Sequence, residues 1–267
     1  MPEWLYGRHA VEEALKAGRR KVFRVLRAEA AKQHGTGREP GANPQVDEAI
    51  SALSMARQKG IAVERVPPAQ LDMLTRVGHH HQGIAAEVSP FPYIGLADTL
   101  NLCKEAGERA LVLVLDSVQD PQNFGTLLRT SEAVGVSAIV MLDRRQVAVT
   151  PAVSNASAGA VEHLQVCLAN NLTRAIDELR DAGLWVYALQ SEPDASRYTS
   201  TDLRGPLGLV VGSEGRGVGQ LVRRHCDGVL EIPMHGKIES LNAAVAGSVV
   251  LYEALRQRNT KRPPTSG

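Results

Sequence analysis

EIPMHGKIESLNAAVAGSVVLYEALRQR, residues 231–258, joins a short apolar strand to a helix whose first turns consist almost entirely of small residues. Ser240 and Asn242 are of the types that cap helix N-termini, where unpaired backbone N–H groups can hold a carboxylate, a phosphate or an oxyanion. The small residues at 243–248 allow another backbone or a flat ligand to approach closely. These features predict either tight helix packing or a ligand site at this junction.

Length and composition indicate a globular chain with one large or two ordinary domains, since 267 residues with 43% hydrophobic content can bury a substantial core. The chain has no run of about 18 apolar residues and no signal-peptide pattern, so we expect a cytoplasmic protein without membrane contact. Cys103, Cys167 and Cys226 lack a CxxC pair, which predicts buried thiols. The consecutive histidines at 79–81 predict a polar turn, and no metal site is expected.

The first third of the chain alternates helical and strand patterns. Helices are predicted at 7–18, around 50–57 and near 71–74, and strands at 22–26, 61–66 and 83–88. This pattern predicts a small α/β domain over residues 1–89. The polar segment 29–44, rich in Gly and Pro, is predicted to be a surface insertion.

A basic cluster lies within this first domain. Residues 1–90 contain 13 Lys and Arg against 10 Asp and Glu, and the stretch 16–27 contains six basic residues and no acidic one. A charge run is often a solvated face, but cations clustered at a helix end and a strand favour contact with a phosphate backbone. The predicted RNA contacts are Lys16, Arg19, Arg20, Lys21, Arg24 and Arg27.

Pro90 and Pro92 mark a linker over residues 90–107, which includes a weak helix at 96–106. A second α/β domain is predicted over 108–260, followed by a tail at 261–267. Its predicted strands are 111–115, 138–142, 185–189, 207–211 and 229–232, and its helices are 125–134, 172–182, 221–225 and the final one. Strands this apolar are typical of a mostly parallel sheet covered on both faces.

Three segments follow strands of the second domain, where open α/β sheets place their ligands. LDSVQDPQNFGTLLRTSEAVG (115–135) contains Asn123 and Arg129, whose simplest interpretations are a helix cap and a surface cation. LGLVVGSEGRGVG (207–219) carries Glu214 among glycines, and its spacing fits neither a P-loop nor a dinucleotide fingerprint. The third segment is the opening stretch.

In order and spacing, these segments resemble the three motifs of the SpoU (TrmH) family of RNA ribose 2′-O-methyltransferases, within the SPOUT superfamily. GRHAVEEALKAG (7–18), HHHQGIAAEV (79–88) and SNASAGAVEHL (154–164) are similar to the subgroup with an N-terminal RNA-binding domain like ribosomal protein L30e. The resemblance covers nearly the whole chain, apart from residues 29–44 and the tail.

The resemblance implies an α/β trefoil knot in the C-terminal domain and S-adenosylmethionine as the cofactor. By position, the implied cofactor contacts are Gly212, Ile232 and Leu241. The implied catalytic residues are Asn123, Arg129, Glu214, Ser240 and Asn242. A guanidinium holds its proton firmly, so we expect Arg129 to orient the ribose 2′-oxygen and a phosphate, with Glu214 fixing the arginine. Arg129 and a phosphate oxygen stay open as acceptors of the hydroxyl proton.

The family also implies a homodimer through the C-terminal domain. Within the family, the chain most resembles the members that methylate a guanosine in the peptidyl-transferase region of large-subunit rRNA. We therefore expect the same target here, and we expect no binding to DNA. The residues at 243–244 depart from the family pattern, and the 29–44 insertion leaves the target open to another rRNA nucleotide or a tRNA. Alternatives of other classes are a non-catalytic rRNA-binding factor and a dinucleotide-dependent enzyme that uses the glycine-rich loop.

Overall fold

A computed structural model describes residues 2–29, 50–75, 81–144, 147–238 and 240–260. The helices are α1 Arg8–Ala17, α2 Ile50–Gln58, α3 Pro68–Thr75, α4 Leu96–Ala106, α5 Pro121–Val134, α6 Pro151–Ala156, α7 Leu172–Asp181, α8 Gln220–Arg224 and α9 Ala243–Asn259. The strands are β1 Glu3–Tyr6, β2 Val22–Ala28, β3 Ala62–Val66, β4 Ile84–Val88, β5 Leu111–Asp116, β6 Ala138–Leu142, β7 Val166–Ala169, β8 Trp185–Leu189, β9 Ser196–Arg197, β10 Leu207–Gly212 and β11 Gly228–Glu231. Most of the predicted insertion, His79, His80 and the tail lie outside the described residues.

The chain divides into two units, of which the first contains Met1–Pro92 and Val149–His163. Its sheet has the order β1-β4-β2-β3, with β4 antiparallel to both neighbours and β2 parallel to β3. One sheet face packs on α1 and α2 around Val11, Leu15 and Leu53, and the other packs on α3 around Leu71. The predicted N-terminal α/β domain is therefore confirmed.

The domain assignment of residues 149–163 differs from the prediction, which placed them in the second domain. In the structure they belong to the first unit, where Thr150 caps α6 by accepting the Val153 N–H at 3.4 Å. Glu162 follows in a short 3-10 helix, and its carboxylate is 3.1 Å from the guanidinium of Arg20. Burial raises the pKa of Glu162, and the charge of Arg20 opposes that shift. A buried ion pair therefore joins this segment to the first unit.

The second unit is built on a seven-stranded sheet of order β7-β6-β5-β10-β8-β11-β9, in which every described pairing is parallel. Val210 belongs to an apolar cluster that includes residues of α4 and α7. Val211, the next residue of β10, points to the opposite face, where α9 packs against α5. The predicted parallel sheet covered on both faces is confirmed.

Four elements were not predicted: β1, β7, β9 and α6. All of the helices and strands that were predicted are present, within a few residues of the expected positions. In the part of the chain that the structure describes, no helix has the length and apolarity needed to cross a membrane. The same residues contain no group of three or more His, Cys, Asp or Glu side chains that could hold a metal ion.

The cysteine thiols are expected to be unreactive in the folded protein. Burial raises the pKa of Cys103 to about 11, and burial together with the nearby Asp227 raises that of Cys226 to about 12; burial also raises the pKa of Cys167. Because the thiolate is the nucleophile, alkylation by iodoacetamide at pH 8 should be about 100-fold slower in the native than in the denatured protein. Mass spectrometry of timed samples measures this, and one rapidly labelled thiol in the native protein would contradict it.

Candidate active site

The carboxyl ends of β5, β8, β10 and β11 lie at one edge of the parallel sheet, and the segments that follow these strands enclose two cavities. The first cavity has a volume of about 560 Å³ and the second about 680 Å³. Both volumes are within the range of small-molecule sites. The three segments singled out in the sequence therefore meet at one place.

The first cavity is lined by all three predicted cofactor contacts, Gly212, Ile232 and Leu241. Leu241 is 40% exposed and Met234, another lining residue, is 37% exposed, so both leave apolar surface open to a ligand. The remaining lining residues are mostly small or contribute to polar loops: Leu189, Gln190, Ser191, Val211, Ser213, Glu214, Gly215, Arg216, Gly217, Ser240, Asn242, Ala243 and Ala246. This cavity combines apolar surface with exposed backbone groups.

Gly212 ends β10 where two stretches of backbone touch. A Cβ atom at this position would overlap the carbonyl group of Gly217 and the amide nitrogen of Val218. The glycines therefore allow the loop after β10 to fold back against the end of β10. The loop after β10 folds back because residue 212 has no side chain.

Replacing Gly212 with alanine should lower the free energy of unfolding by about 1–3 kcal/mol, the usual cost of overpacking a tightly packed site. Gly205→Ala is the matched control, because a Cβ at Gly205 meets no atom within 4 Å. Urea denaturation of the two variants measures the difference. Equal stability of the two variants would show that the loop can move away at little cost.

Asn242 connects the three segments. Its Oδ1 accepts the backbone N–H groups of Ala244 at 2.9 Å and Val245 at 3.1 Å, so it is the N-cap of α9. Its Nδ2 donates to Oδ1 of Asn123 at 2.8 Å and to Oε1 of Glu214. One side chain therefore caps the last helix and positions two of the other predicted catalytic residues.

Asn123 does not cap α5, which corrects the simpler of the two interpretations of this residue. The N-cap is Asp120, which accepts the N–H groups of Gln122 at 3.1 Å and of Asn123 at 3.4 Å, with Pro121 at the first helical position. The Asp-Pro pair is a recognisable helix start in sequence. Asn123 lies in the first turn, and its side-chain amide is held by Asn242 instead.

The small residues of α9 take part both in tight helix packing and in the lining of a cavity, the two alternatives that the sequence left open. Ala243 and Ala246 line the first cavity. Gly247 faces the neighbouring elements, where a Cβ would lie 2.8 Å from Leu127 of α5 and 3.0 Å from Val211 of β10. Tight helix packing and a ligand-accessible surface therefore occur on the same turns of the helix.

Among the described residues, Arg129 and Ser240 form no hydrogen bond with the Asn123–Glu214–Asn242 cluster. Ser240 is exposed and lines the first cavity. Arg129 is exposed on α5, lines neither cavity and forms no ion pair among the described residues. In the part of the chain that the structure describes, Glu214 does not pair with Arg129 as expected and contacts Asn242 instead.

The basic cluster of the first unit is partly neutralised. The prediction that Arg20 contacts RNA is wrong. Its side chain has no exposed surface and lies between the carboxylates of Glu3 and Glu162. The Arg19 guanidinium donates to the Pro92 carbonyl oxygen at 3.2 Å and is partly buried. Two further cations have carboxylate partners: the exposed Lys16 pairs with Glu12 and Glu13, and the half-buried Arg24 pairs with Glu64 and Glu87. Lys21 and Arg27 form no ion pair among the described residues.

The second cavity contains residues that the sequence did not single out. Asp116 and Asp120 line it together with Asn123, Glu214 and Arg216. Six residues line both cavities: Gly212, Ser213, Glu214, Arg216, Gly217 and Ala243. The loop after β10 therefore separates two adjoining cavities, and the Asn123–Glu214–Asn242 cluster lies at their boundary.

Comparisons with known proteins agree with this arrangement. The family described as "SpoU rRNA Methylase family" matches residues 110–252, and the one described as "RNA 2'-O ribose methyltransferase substrate binding" matches residues 4–94. YacO of Bacillus subtilis (strain 168), which carries the name of a TrmH family tRNA/rRNA methyltransferase, is 36% identical over 96% of each chain. A similarly named protein of Staphylococcus aureus (strain MSSA476) is 38% identical, again over 96% of each chain.

Among solved structures, the AdoMet-bound rRNA methyltransferase of Sinorhizobium meliloti is 25% identical, with a TM-score of 0.75 over 97% of this chain and 88% of its own. The match of the family over more than half of the chain, together with relatives above 30% identity along nearly its full length, decides the assignment. This chain belongs to the SpoU rRNA methylase family.

Proposed function

We propose that this chain transfers a methyl group from S-adenosylmethionine to a ribose 2′-oxygen of RNA, and that its target is a guanosine in the peptidyl-transferase region of large-subunit rRNA. The observation that carries the proposal is the joining of the Asn123–Glu214–Asn242 cluster to the first cavity. A relative that binds AdoMet and shares the fold supports the cofactor. We also propose a cytoplasmic location, which an rRNA substrate supports.

The first cavity fits S-adenosylmethionine in size and chemistry. Its volume of about 560 Å³ suits a ligand of this size. Ile232, Met234 and Leu241 offer apolar surface for a flat ring, while Gly212 and the loop after β10 offer backbone groups for polar atoms. The small side chains of Ala243 and Ala246 leave room beside the start of α9. We assign the cofactor to this cavity.

The cofactor would supply a methyl group on a sulfonium. As the ribose oxygen bonds to the methyl carbon, the carbon–sulfur bond would break and leave a neutral sulfur, and the hydroxyl proton would pass to a phosphate oxygen, because the guanidinium of Arg129 keeps its own proton. The work of the protein is then to place the ribose oxygen in line with the methyl group. Asn123, Glu214 and Asn242 form a hydrogen-bonded surface at the boundary of the two cavities that can hold the ribose. Arg129 holds the 2′-oxygen and an adjacent phosphate, and its permanent charge stabilises the developing alkoxide.

A homodimer would bring Arg129 to a site that it does not line in its own chain. The support is an exposed apolar face on α9, where Val245 is 47% exposed and Tyr252 is 52% exposed. Arg129 is exposed on α5, which packs against α9. A second copy that covers this face would place its own Arg129 near the junction. We also propose the trefoil knot that the family resemblance implies, since α9 starts beside the loop after β10.

RNA contact by the first unit is proposed for the cations that lack carboxylate partners. Arg27 and Arg65 are paired across β2 and β3, and neither forms an ion pair among the described residues. Like charges at paired positions of a sheet repel each other unless an anion lies between them. Phe23 is 42% exposed, and the ammonium group of Lys21 lies 5.2 Å from the centre of its ring, an arrangement suited to an unpaired base beside a phosphate.

Replacing Arg27 and Arg65 together with alanine should lower the slope of log affinity against log salt by about 2, because each phosphate contact contributes about one unit. Lys16→Ala is the matched control, since it removes a cation that already pairs with Glu12 and Glu13. Filter binding of large-subunit rRNA fragments across a salt series measures the slopes. A change about half as large in the control, which removes one cation and not two, would mean that the effect reflects overall charge and not this site.

The test of the proposed function is methyl transfer from labelled S-adenosylmethionine to unmodified large-subunit rRNA and to tRNA, followed by mapping of the modified nucleotide. The expected result is one 2′-O-methylated guanosine in the peptidyl-transferase region. Label at another rRNA nucleotide or on tRNA would overturn the target and keep the reaction. Tight RNA binding without transfer to either RNA would favour the non-catalytic rRNA-binding factor.

A further inference from the structure

Residues 213–219, called the partition loop below, contribute to the walls of both cavities. Two backbone hydrogen bonds between Ser213 and Gly217, of 3.2 and 2.9 Å, close the loop. Glu214 is exposed next to this closure. The position of Glu214 therefore depends on how the partition loop is held.

Two side chains from outside the partition loop hold its C-terminal end. Asp116, the last residue of β5, accepts the N–H of Gly219 at 2.8 Å through Oδ2. Gln190, directly after β8, accepts the N–H of Val218 at 2.9 Å through Oε1. A Cβ on Gly217 would lie 2.5 Å from that Gln190 oxygen, so the fit is close. Two consecutive backbone donors are thus bound by side chains that lie at the ends of two different strands.

The backbone next to Asp116 is strained. Ser117 has a φ of 64°, a left-handed conformation that residues with a side chain rarely adopt. Its hydroxyl donates to the other carboxylate oxygen of Asp116 at 3.0 Å. Strained residues persist where the surrounding structure fixes them, and they cluster at functional sites. Both oxygens of Asp116 are therefore committed to holding protein groups.

We propose that Asp116 and Gln190 are positioning residues that hold the partition loop from opposite sides. Gln190 lines the first cavity and not the second, whereas Asp116 lines the second and not the first. What the two cavities bind rests on the proposed function. Loss of the Gln190 bond weakens S-adenosylmethionine binding, and loss of the Asp116 bond slows methyl transfer because Glu214 is no longer held in place.

The test compares Gln190→Met and Asp116→Ala in the full chain. Hydrogen exchange of the peptide that contains the partition loop should become faster in both variants. Gln190→Met should raise the Kd of S-adenosylmethionine about 3- to 10-fold, the effect of one lost hydrogen bond, and lower kcat by less than Asp116→Ala does, because Asp116 still holds the adjacent N–H of Gly219. Asp116→Ala should lower kcat about 10-fold or more through misplacement of Glu214, and leave that Kd nearly unchanged.

Asp227→Ala is the matched control, because Asp227 also accepts a backbone N–H, that of Val186 at 2.8 Å, but lines neither cavity. Its kinetic constants and loop exchange should match the wild type. If Asp116→Ala does not fold, Asp116→Leu takes its place, since leucine has a similar shape and no acceptor oxygen. Unchanged loop exchange in both variants would overturn the proposal, and so would changes of Kd and kcat that are equal in the two variants.

The exchange and cofactor-binding measurements need no RNA. A wild-type protein that methylates no RNA would therefore overturn the proposed function while these measurements still decide whether Asp116 and Gln190 hold the loop.

Discussion

Asn242→Asp is expected to reduce methyl transfer by roughly 100- to 1,000-fold, the usual loss when a positioned donor is removed from a catalytic site. Aspartate caps a helix as well as asparagine does, so α9 keeps its N-cap. The new carboxylate cannot donate to Asn123, and it would lie against the carboxylate of Glu214. Single-turnover methyl transfer measures the loss, and thermal unfolding checks that the fold is retained.

Asn171→Asp is the matched control for this substitution. Asn171 caps α7 by accepting the Arg174 N–H at 3.1 Å, and it lines neither cavity. Its variant should transfer methyl groups at the wild-type rate. Full activity of Asn242→Asp would show that Asn242 acts as a cap alone, with no part in positioning Asn123 and Glu214.

Arg129→Ala is expected to lower methyl transfer by about 1,000-fold or more, because an arginine that stabilises developing negative charge is among the largest single contributors to a rate. Arg129 is exposed and has no ion-pair partner among the described residues, so stability should change by less than about 0.5 kcal/mol. Binding of S-adenosylmethionine should be unchanged. Arg174→Ala, which removes an exposed arginine of α7, is the control.

A mixture of two inactive chains tests whether Arg129 acts across a dimer. When Arg129→Ala and Asn242→Asp chains are refolded together, half of the dimers are mixed, and each mixed dimer has one site with both residues intact. The expected activity is about a quarter of the wild-type value, as two-fold symmetry with equal mixing requires. No recovery in the mixture, with mixed dimers verified by mass spectrometry, would place Arg129 in the site of its own chain.

The elements that could be predicted are those with strong apolar periodicity. β5 and β10, buried at every position, and α7, with a clear apolar face, were all predicted. β7 was missed because four residues, VCLA, carry too little pattern, and the two-residue β9 carries none. The strand order was also beyond prediction, because β10 pairs with β5 across a long stretch of intervening chain, and periodicity does not record partners.

The candidate site was predicted as residue types and not as contacts. The motifs located Asn123, Glu214 and Asn242, which the structure joins by hydrogen bonds. Asp116 and Gln190 were missed, since a carboxylate or an amide that binds a backbone N–H leaves no signature in sequence. Arg20 was misassigned for a related reason: the run of cations was visible, whereas its buried partner Glu162 lies far along the chain. Charge can be counted from a sequence, but neutralisation depends on the fold.

The wall shared by the two cavities has a thermodynamic consequence. Because Gly212, Ser213, Glu214, Arg216, Gly217 and Ala243 face both sides, a ligand that shifts this wall from one side alters the shape offered to a ligand on the other. Such linkage is reciprocal: whatever factor the RNA applies to cofactor affinity, the cofactor applies to RNA affinity. After methyl transfer, the demethylated cofactor would therefore change the affinity of the protein for the methylated RNA, and the methylated RNA would change the affinity for the demethylated cofactor by the same factor.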